Sequence, residues 1–361
     1  MSSDLTDLAP LSPERLTQVL RDGKALPPDR RVAGSTVVPI DGGYLSRTAR
    51  VLLDYDMAVP GAPASLVAKS PAADPLARTV ATMMGMYARE VHFYRELAPR
   101  VTMRTPRHWS SSVDPETGEF TLLIEDVQGA TMHDQTDGCP ADDARLAIRE
   151  LARLHSATWD DPSLAKLEWL NQLSPAAVGM WQQLFHHAWH AFIARDEVEL
   201  APELLAVGAA LDGSDFVAWI CGQTGPLALA HADFHLANLL FLANGKGERE
   251  VVTVDWQMAM HAPPLVDVAY FAGRMPTDAR RETERELVGA YHSGLVEAGV
   301  TGYSLERCWE DYQRWIWFGV FSAVAASAAY SMSPDEVRRY TGKVARYLTQ
   351  ALDHNAVRFL G

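Results

Sequence analysis

Apolar residues in the first 130 positions follow two different periods. "SPERLTQVL", with Ser12 as a cap residue and Pro13 in the first turn, predicts a short helix. "GSTVVPIDGGYLSRTARVLLDYD" and "ASLVAKSP" then run as β-branched and apolar stretches, broken by Gly42-Gly43 and by the turn "VPGAP", and predict three antiparallel strands. "TVATMMGMYAREVHFYRELAPR" switches to helical spacing through Met83, Met86, Tyr87, Glu90, Val91 and Tyr94. It predicts one long, one-sided helix ended by Pro99. "RHWSSSVDPETGEFTLLIEDV" alternates on either side of "DPETG" and predicts a hairpin. The sum is a five-stranded antiparallel sheet with a helix.

From Gln128 onward the pattern turns helical, in "ADDARLAIRELARLHSATW", "WQQLFHHAWHAFIARDEV", "APELLAVGAAL" and several segments of the last hundred residues. Only 227–255 interrupts it, with strand-like "NLLFL" and "EVVTVDW" joined by "ANGKGE". The reading is α+β: a sheet lobe over 1–127 and a mainly helical lobe over 128–361, hinged near Glu125 to Gln128. A cleft between lobes is a usual place for a ligand. "WIWFGVFSAVAASAAYSM", 315–332, carries no charge over 18 residues, yet its serines, alanines and closely flanking charges suit a buried helix better than a membrane span.

Composition narrows the partners. Apolar residues make up 48% and charged residues 22% of the 361, which is ordinary globular usage. A formal charge of -14 argues against a nucleic-acid-binding face or an anionic membrane surface as main partner. Cys139, Cys221 and Cys308 form no CxxC pair, so neither a disulfide framework nor a structural zinc site is indicated. With no signal-peptide core in "MSSDLTDLAPLSPERL", the expected compartment is the cytoplasm.

The chemistry concentrates in "LALAHADFHLANLLF", where His231, Asp233, His235 and Asn238 fall between two apolar runs, with Asp255 in "VDWQ" beyond the second strand. A carboxylate and an amide oxygen are hard ligands of the kind magnesium takes beside nucleotide phosphates. A further carboxylate close by can accept a proton from, or orient, an attacking hydroxyl. Together these residues read as a phosphoryl-transfer centre.

"HADFHLAN" resembles the His-x-Asp-x-x-x-x-Asn catalytic loop of eukaryotic-like protein kinases and of the aminoglycoside phosphotransferase, choline kinase and ecdysteroid kinase group, and "VDWQ" sits where those proteins carry a metal-binding Asp. His235, where protein kinases usually have Lys, is common in the small-molecule branch. The layout of "ASLVAKSP", "YAREVHFYRELAPRV" and "DPETGEFTLLIEDV" is nearest the ecdysteroid kinase-like members. The resemblance implies a bilobal protein kinase-like fold and a kinase that uses ATP and magnesium to phosphorylate a small-molecule hydroxyl. It implies Asp233 as the catalytic base, Asn238 and Asp255 as magnesium ligands, Lys69 as the phosphate contact and Glu90 as its partner. The adenine would meet backbone groups of Glu125 to Val127. His231 is expected to support the loop through a hydrogen bond into the metal-binding segment, and Asp267 to tether the loop through its backbone. His235 stays open between phosphoryl neutralisation and packing.

Some positions depart from the family pattern. Ala232, Leu236 and Ala237 replace small or rigid residues, and Gln257 replaces an acid of some relatives. Gly42, Gly43 and Ser46 either lie over phosphates or form a simple hairpin turn. Trp159, Trp169, Trp181, Trp189 and Trp219 line the expected acceptor region, where most are expected in the core. His186 and His190 have the spacing of a metal pair, but with no third ligand evident they read as exposed helical histidines. Two other functions remain: a nucleotide-binding pseudokinase, and a metal-dependent hydrolase using His231, Asp233, His235 and Asp255, which would leave Lys69 and Glu90 without a task.

Overall fold

The structure, a computed structural model, describes residues 11–40, 45–135, 137–171, 173–243, 247–329 and 332–360. The chain divides into two compact units, one of 1–99 with 105–129, the other of 100–104 with 130–361.

The first unit is built on a five-stranded antiparallel sheet. Its strands are β1 (Val32–Ile40), β2 (Ser46–Tyr55), β3 (Ser65–Pro71), β4 (His108–Val113) and β5 (Phe120–Glu125), in the spatial order β1-β2-β3-β5-β4. Helix α1 (Pro13–Asp22) begins where the sequence predicts, with the Ser12 hydroxyl accepting from Arg15 N and Pro13 in the first turn. Its Leu16, Val19 and Leu20 join Val51, Leu53, Leu66 and Ala68 in one apolar cluster. The "DPETG" turn closes β4 onto β5 as expected. Asp114 Oδ1 accepts from Glu116 N at 2.9 Å, and Gly118 takes the left-handed φ of 71°.

The single long helix expected before Pro99 is instead three pieces: α2 (Pro75–Met83), α3 (Met86–His92) and a π-turn over Phe93–Leu97. Gly85 causes the break. It sits at φ 64° and ψ 22°, a left-handed conformation that stops α2 and that a side chain would strain. Apolar residues keep helical spacing on both sides of Gly85, so periodicity alone does not reveal the break.

The second unit is mainly helical: α4 (Ala141–Ala157), α5 (Pro175–Ile193), α6 (Pro202–Asp212), α7 (Phe216–Cys221), α8 (Leu265–Arg274), α9 (Thr277–Glu297), α10 (Leu305–Ala326) and α11 (Pro334–Asp353). Two small antiparallel ribbons interrupt them. β6 (Ala228–Ala230) pairs with β9 (Met260–Ala262), and β7 (Leu239–Ala243) pairs with β8 (Arg249–Thr253). The uncharged run at 315–332 is largely α10, whose Ile316, Trp317, Val320 and Val324 are fully buried. No helix of the described residues is long and apolar enough to cross a membrane.

Trp181, Trp189 and Trp219 belong to the core. The centre of this unit is Tyr347 of α11, whose ring fits against Gly273 of α8 and Gly319 of α10. A Cβ at either glycine would fall inside its van der Waals shell. Tyr347 in turn packs against Tyr270, their rings tilted by 32° with centroids 5.3 Å apart. Gly319→Ala is therefore expected to destabilise the protein despite the gain of about 1 kcal/mol in helix propensity, because overpacking costs about 1–3 kcal/mol. A thermal melt of the variant at or above the wild-type midpoint would show that the ring has room to move.

Candidate functional site

The loop after β6 is held from below by one carboxylate. Asp267, in the first turn of α8 and fully buried, accepts from His231 N through Oδ2 and from Ala232 N through Oδ1, both at 2.7 Å. The buried His155 of α4 adds Nε2 to Asp267 Oδ2 at 3.2 Å, while its Nδ1 lies 2.8 Å from Tyr291 Oη. An ionised carboxylate among bonded donors is the arrangement in which a buried acid is tolerable. Ala232 takes φ 60°, where its Cβ adds strain that glycine lacks. The hydrogen bonds of the Ala232 N–H and of the N–H groups on either side of it hold the residue in that conformation.

Histidine 231 is fully buried and both ring nitrogens are engaged. Nδ1 accepts from Asp233 N at 3.2 Å and Nε2 donates to Val254 O at 3.0 Å. That second bond reaches the residue before Asp255, the expected loop support. With both nitrogens engaged, His231 has no lone pair left for a metal, so the hydrolase reading loses one of its four ligands. Trp256, wedged against His231 at 4.6 Å, fills the space below.

Asp233 itself keeps 23% of its side chain accessible. Its Oδ1 accepts from Tyr270 Oη at 2.9 Å, and Asn238 Nδ2 donates to its carbonyl oxygen at 2.9 Å. Burial would raise its pKa, but contacts with His235 and the charge of Arg274 more than offset this and hold the carboxyl well below the usual range. His235 is resolved by its ring. Nδ1 accepts from Ala237 N at 3.2 Å, capping the single 3-10 turn Leu236–Asn238, and Nε2 faces Asp233 Oδ1 at 3.4 Å. Burial chiefly, with the charges of Arg274 and Lys343, lowers its pKa to about 4, against the opposing pull of Asp233. It is a neutral cap near pH 7, not a cation.

Asn238 and Asp255 are brought together by the β7–β8 ribbon. Leu239 pairs with Thr253, so the residues just outside the ribbon fall side by side, and Val254 N donates to Asn238 O at 3.0 Å. Asp255 takes φ 66° and ψ 65° and opens the short turn Trp256–Met258. Gln257 Nε2 lies 3.5 Å from its Oδ2. Asn238 Nδ2 is turned to Asp233, and the Asn238 amide oxygen and the Asp255 carboxylate are oxygen donors of the type that could hold magnesium.

Three residues that sequence reasoning did not single out surround this loop. Tyr270 lies one turn beyond Asp267 on α8, so that helix both tethers the loop and donates to its acid. Arg274 follows one turn later, its guanidinium 6.0 Å from the Tyr270 ring. Lys343 of α11 reaches the same region, 3.4 Å from Tyr340 Oη. Burial, then the charge of Arg274, drives its pKa well below the usual lysine range, against the pull of Asp233. The i, i+3 and i+7 spacing of Asp267, Tyr270 and Arg274 was the available signal for the first two. Lys343, 110 positions from Asp233, had none.

In the first unit, Lys69 on β3 and Glu90 on α3 are both buried, and the ammonium is 2.7 Å from each carboxylate oxygen. Tyr87, one turn before Glu90, fixes α3 by donating to Leu45 O at 2.8 Å and accepting from Ala72 N at 3.0 Å. Ser46 begins β2 opposite Pro71, two positions before Thr48, which pairs with Lys69. It is a buried strand residue on the face that carries Lys69. Gly42 and Gly43 lie outside the described residues. Glu125 ends β5, where its N–H donates to Arg107 O at 2.8 Å and its Oε2 accepts from Arg107 N at 3.0 Å. Val127 follows β5 and is half-buried. Asp126 between them is structural, accepting from Arg50 and from the Ser65 hydroxyl at 2.6 Å each.

A sheet unit carrying a buried Lys–Glu pair, followed by a helical unit carrying a tethered Asp loop, defines a kinase-like phosphotransferase. The family described as "Phosphotransferase enzyme family" matches residues 36–307, and the chain belongs to that family. Among solved structures it is similar to a choline kinase from Cryptosporidium parvum Iowa II, with a TM-score of 0.57 and 11% identity over 97% of this chain and 98% of that one. It is also similar to an ethanolamine kinase from Plasmodium vivax, with a TM-score of 0.52 and 12% identity over 93% and 85%. A putative aminoglycoside phosphotransferase from Ralstonia eutropha JMP134 has a TM-score of 0.51 and 15% identity over 95% and 98%. At these identities the likeness is one of fold. No curated protein matches the chain by sequence.

Proposed function

We propose that the protein transfers the γ-phosphoryl group of ATP to a hydroxyl of a small molecule. The observation that carries this reading is Asp233, ionised, partly open and fixed between Tyr270 Oη and the Asn238 amide on a loop pinned by Asp267. A carboxylate so acidic is a weak base. Its task is to orient the acceptor hydroxyl and take its proton late, as the new O–P bond forms and the bond to the leaving diphosphate breaks. Asn238 Oδ1 and Asp255 would hold magnesium, which when bound screens the phosphate charge. Lys69 would contact the α- and β-phosphates, with Glu90 fixing the ammonium. Backbone groups from Glu125 to Val127 would meet the adenine, and Ser46 would lie beside the phosphates. The choline and ethanolamine kinases of the same fold support a small-molecule acceptor.

Purified protein with ATP and magnesium is expected to release ADP only with a suitable alcohol present, and that alcohol gains the mass of one phosphoryl group. A panel of choline, ethanolamine, kanamycin and neutral sugars, with GTP as a second donor, checks this. ATP binding without turnover across the panel would favour a binding module, and phosphate release from simple esters without ATP a hydrolase.

The Lys–Glu pair separates binding from folding. Lys69→Met is expected to cost about 3 kcal/mol, because it strands a buried carboxylate. Adding Glu90→Leu should recover most of that stability, since a buried pair replaced by apolar residues is often neutral. Nucleotide affinity, followed with a fluorescent ATP analogue, should stay at least tenfold weaker in both. Wild-type affinity in the double variant would remove Lys69 from the phosphate site.

A further inference from the structure

The third ligand that the histidine pair of α5 lacked in sequence is supplied by α6. His186 and His190 stand one turn apart on the exposed face of α5, with ring centroids 4.6 Å apart. Asp212, the last residue of α6, reaches both: Oδ1 lies 2.9 Å from His186 Nδ1 and Oδ2 lies 3.0 Å from His190 Nε2. Among the described residues this is the one group of three such side chains whose ligand atoms all fall within 4.8 Å of one another.

We propose that His186, His190 and Asp212 form a binding site for a divalent transition-metal ion of the zinc type, separate from the phosphoryl-transfer centre. Two imidazoles and a carboxylate are a ligand set that zinc accepts, with a fourth position left to water. Around a tetrahedral zinc with bonds of about 2.0–2.1 Å, neighbouring ligand atoms stand about 3.3 Å apart. Here each ring nitrogen already stands 2.9 or 3.0 Å from an oxygen of the one carboxylate, and the ligand atoms of all three side chains fall within 4.8 Å of one another, within reach of side-chain adjustment.

The scaffold holds the carboxylate in place before any ion arrives. Gly208, one turn before Asp212 on the same face of α6, leaves room for the Trp189 ring of α5, which a Cβ there would overlap. Trp189 is buried, so the two helices are locked at this point and Asp212 is carried over the histidines. Gln182 Nε2 donates to Ser214 O at 3.2 Å and fastens the end of α6 to α5 on the other side. Asp212 also ends α6, and the C-terminal end of a helix has a polarity that favours a cation.

The protonation chemistry is self-consistent. Without an ion, His186 Nδ1 and His190 Nε2 carry the protons that bond Asp212. To bind a metal, each ring moves its proton to the opposite nitrogen and offers the freed lone pair. The rings are 57% and 56% exposed, so the relocated N–H groups can donate to water. The ion would clamp α5 to α6.

The test uses the full-length protein freed of metal with a chelator and then desalted. Titration with Co2+ is expected to give one ion per chain, with the strong visible absorption of a four-coordinate site, displaced by Zn2+. Magnesium should not displace it, because imidazole ligands disfavour it. His190→Asn and Asp212→Asn, each checked for native circular dichroism, should weaken Zn2+ binding at least 30-fold. His186→Asn replaces either one if it fails to fold. His187→Asn, the neighbouring histidine whose Nδ1 lies 2.7 Å from Gln183 O, should bind as wild type does. Undiminished affinity in His190→Asn and Asp212→Asn, or no visible spectrum and less than half an ion per chain, overturns the proposal. ADP release should be unchanged in the ligand variants, so loss of metal binding and failure of the kinase reading are distinguishable.

Discussion

Replacing Asp233 with Asn is expected to lower the rate of phosphoryl transfer about 1000-fold while leaving nucleotide affinity within a few-fold of wild type. The magnitude follows from the contribution of a positioned acid–base group, about 100- to 10000-fold. Asparagine is the informative substitution because its amide oxygen can still accept from Tyr270 Oη, which lies 2.9 Å from Oδ1 in the native protein. The loop therefore keeps its shape, and the loss reports on charge and proton acceptance. Steady-state ADP release with the acceptor found in the alcohol panel, together with nucleotide titration, measures both quantities. Turnover within tenfold of wild type would mean that the hydroxyl is oriented by another group.

The second large effect is structural. Asp267→Ala is expected to cost about 4 kcal/mol. It strands two backbone donors, His231 N and Ala232 N, and the His155 Nε2 contact in a region closed to water, and each orphaned group costs about 1–3 kcal/mol. Ala232 would also lose the bond that holds it at φ 60°, so the loop should relax even where the protein still folds. Turnover should then fall together with stability, in contrast to Asp233→Asn, where it falls alone. Denaturant unfolding monitored by tryptophan fluorescence checks this, since Trp181, Trp189, Trp219, Trp256 and Trp317 all report on the second unit. A loss below about 1 kcal/mol would show that water or a neighbouring side chain takes over the donors.

Much of the architecture was legible because it rests on short-range rules. Alternating β-branched runs, the Ser12–Pro13 start of the first helix and the "DPETG" hairpin each specify a local conformation through sterics and hydrogen bonding. The structure contains each of them. The exception is instructive: Gly85 divides a stretch whose helical period is unbroken. Apolar periodicity records which face is buried, whereas a left-handed φ at one residue decides whether the backbone runs continuously.

The site divides in the same way. Asp233 and Asn238 share one loop whose pattern carries the family resemblance, whereas Lys69 and Glu90, which taken alone read as a surface lysine and a solvated helix glutamate, gain a role only from their order along the chain. His235 was undecided because its charge depends on Arg274 and Lys343, which approach from two other helices. The His186–His190 pair lacked Asp212, 22 positions beyond His190, until α6 packed on α5. By itself the sequence determined most of the elements, the loop and the chemical types of its side chains, since these depend on neighbours a few residues apart. Only the tertiary structure decided which acid is ionised, which imidazole is a neutral cap and which carboxylate completes a ligand set. Those properties depend on burial and on charges a few ångströms away, whose separation along the chain carries no information about distance.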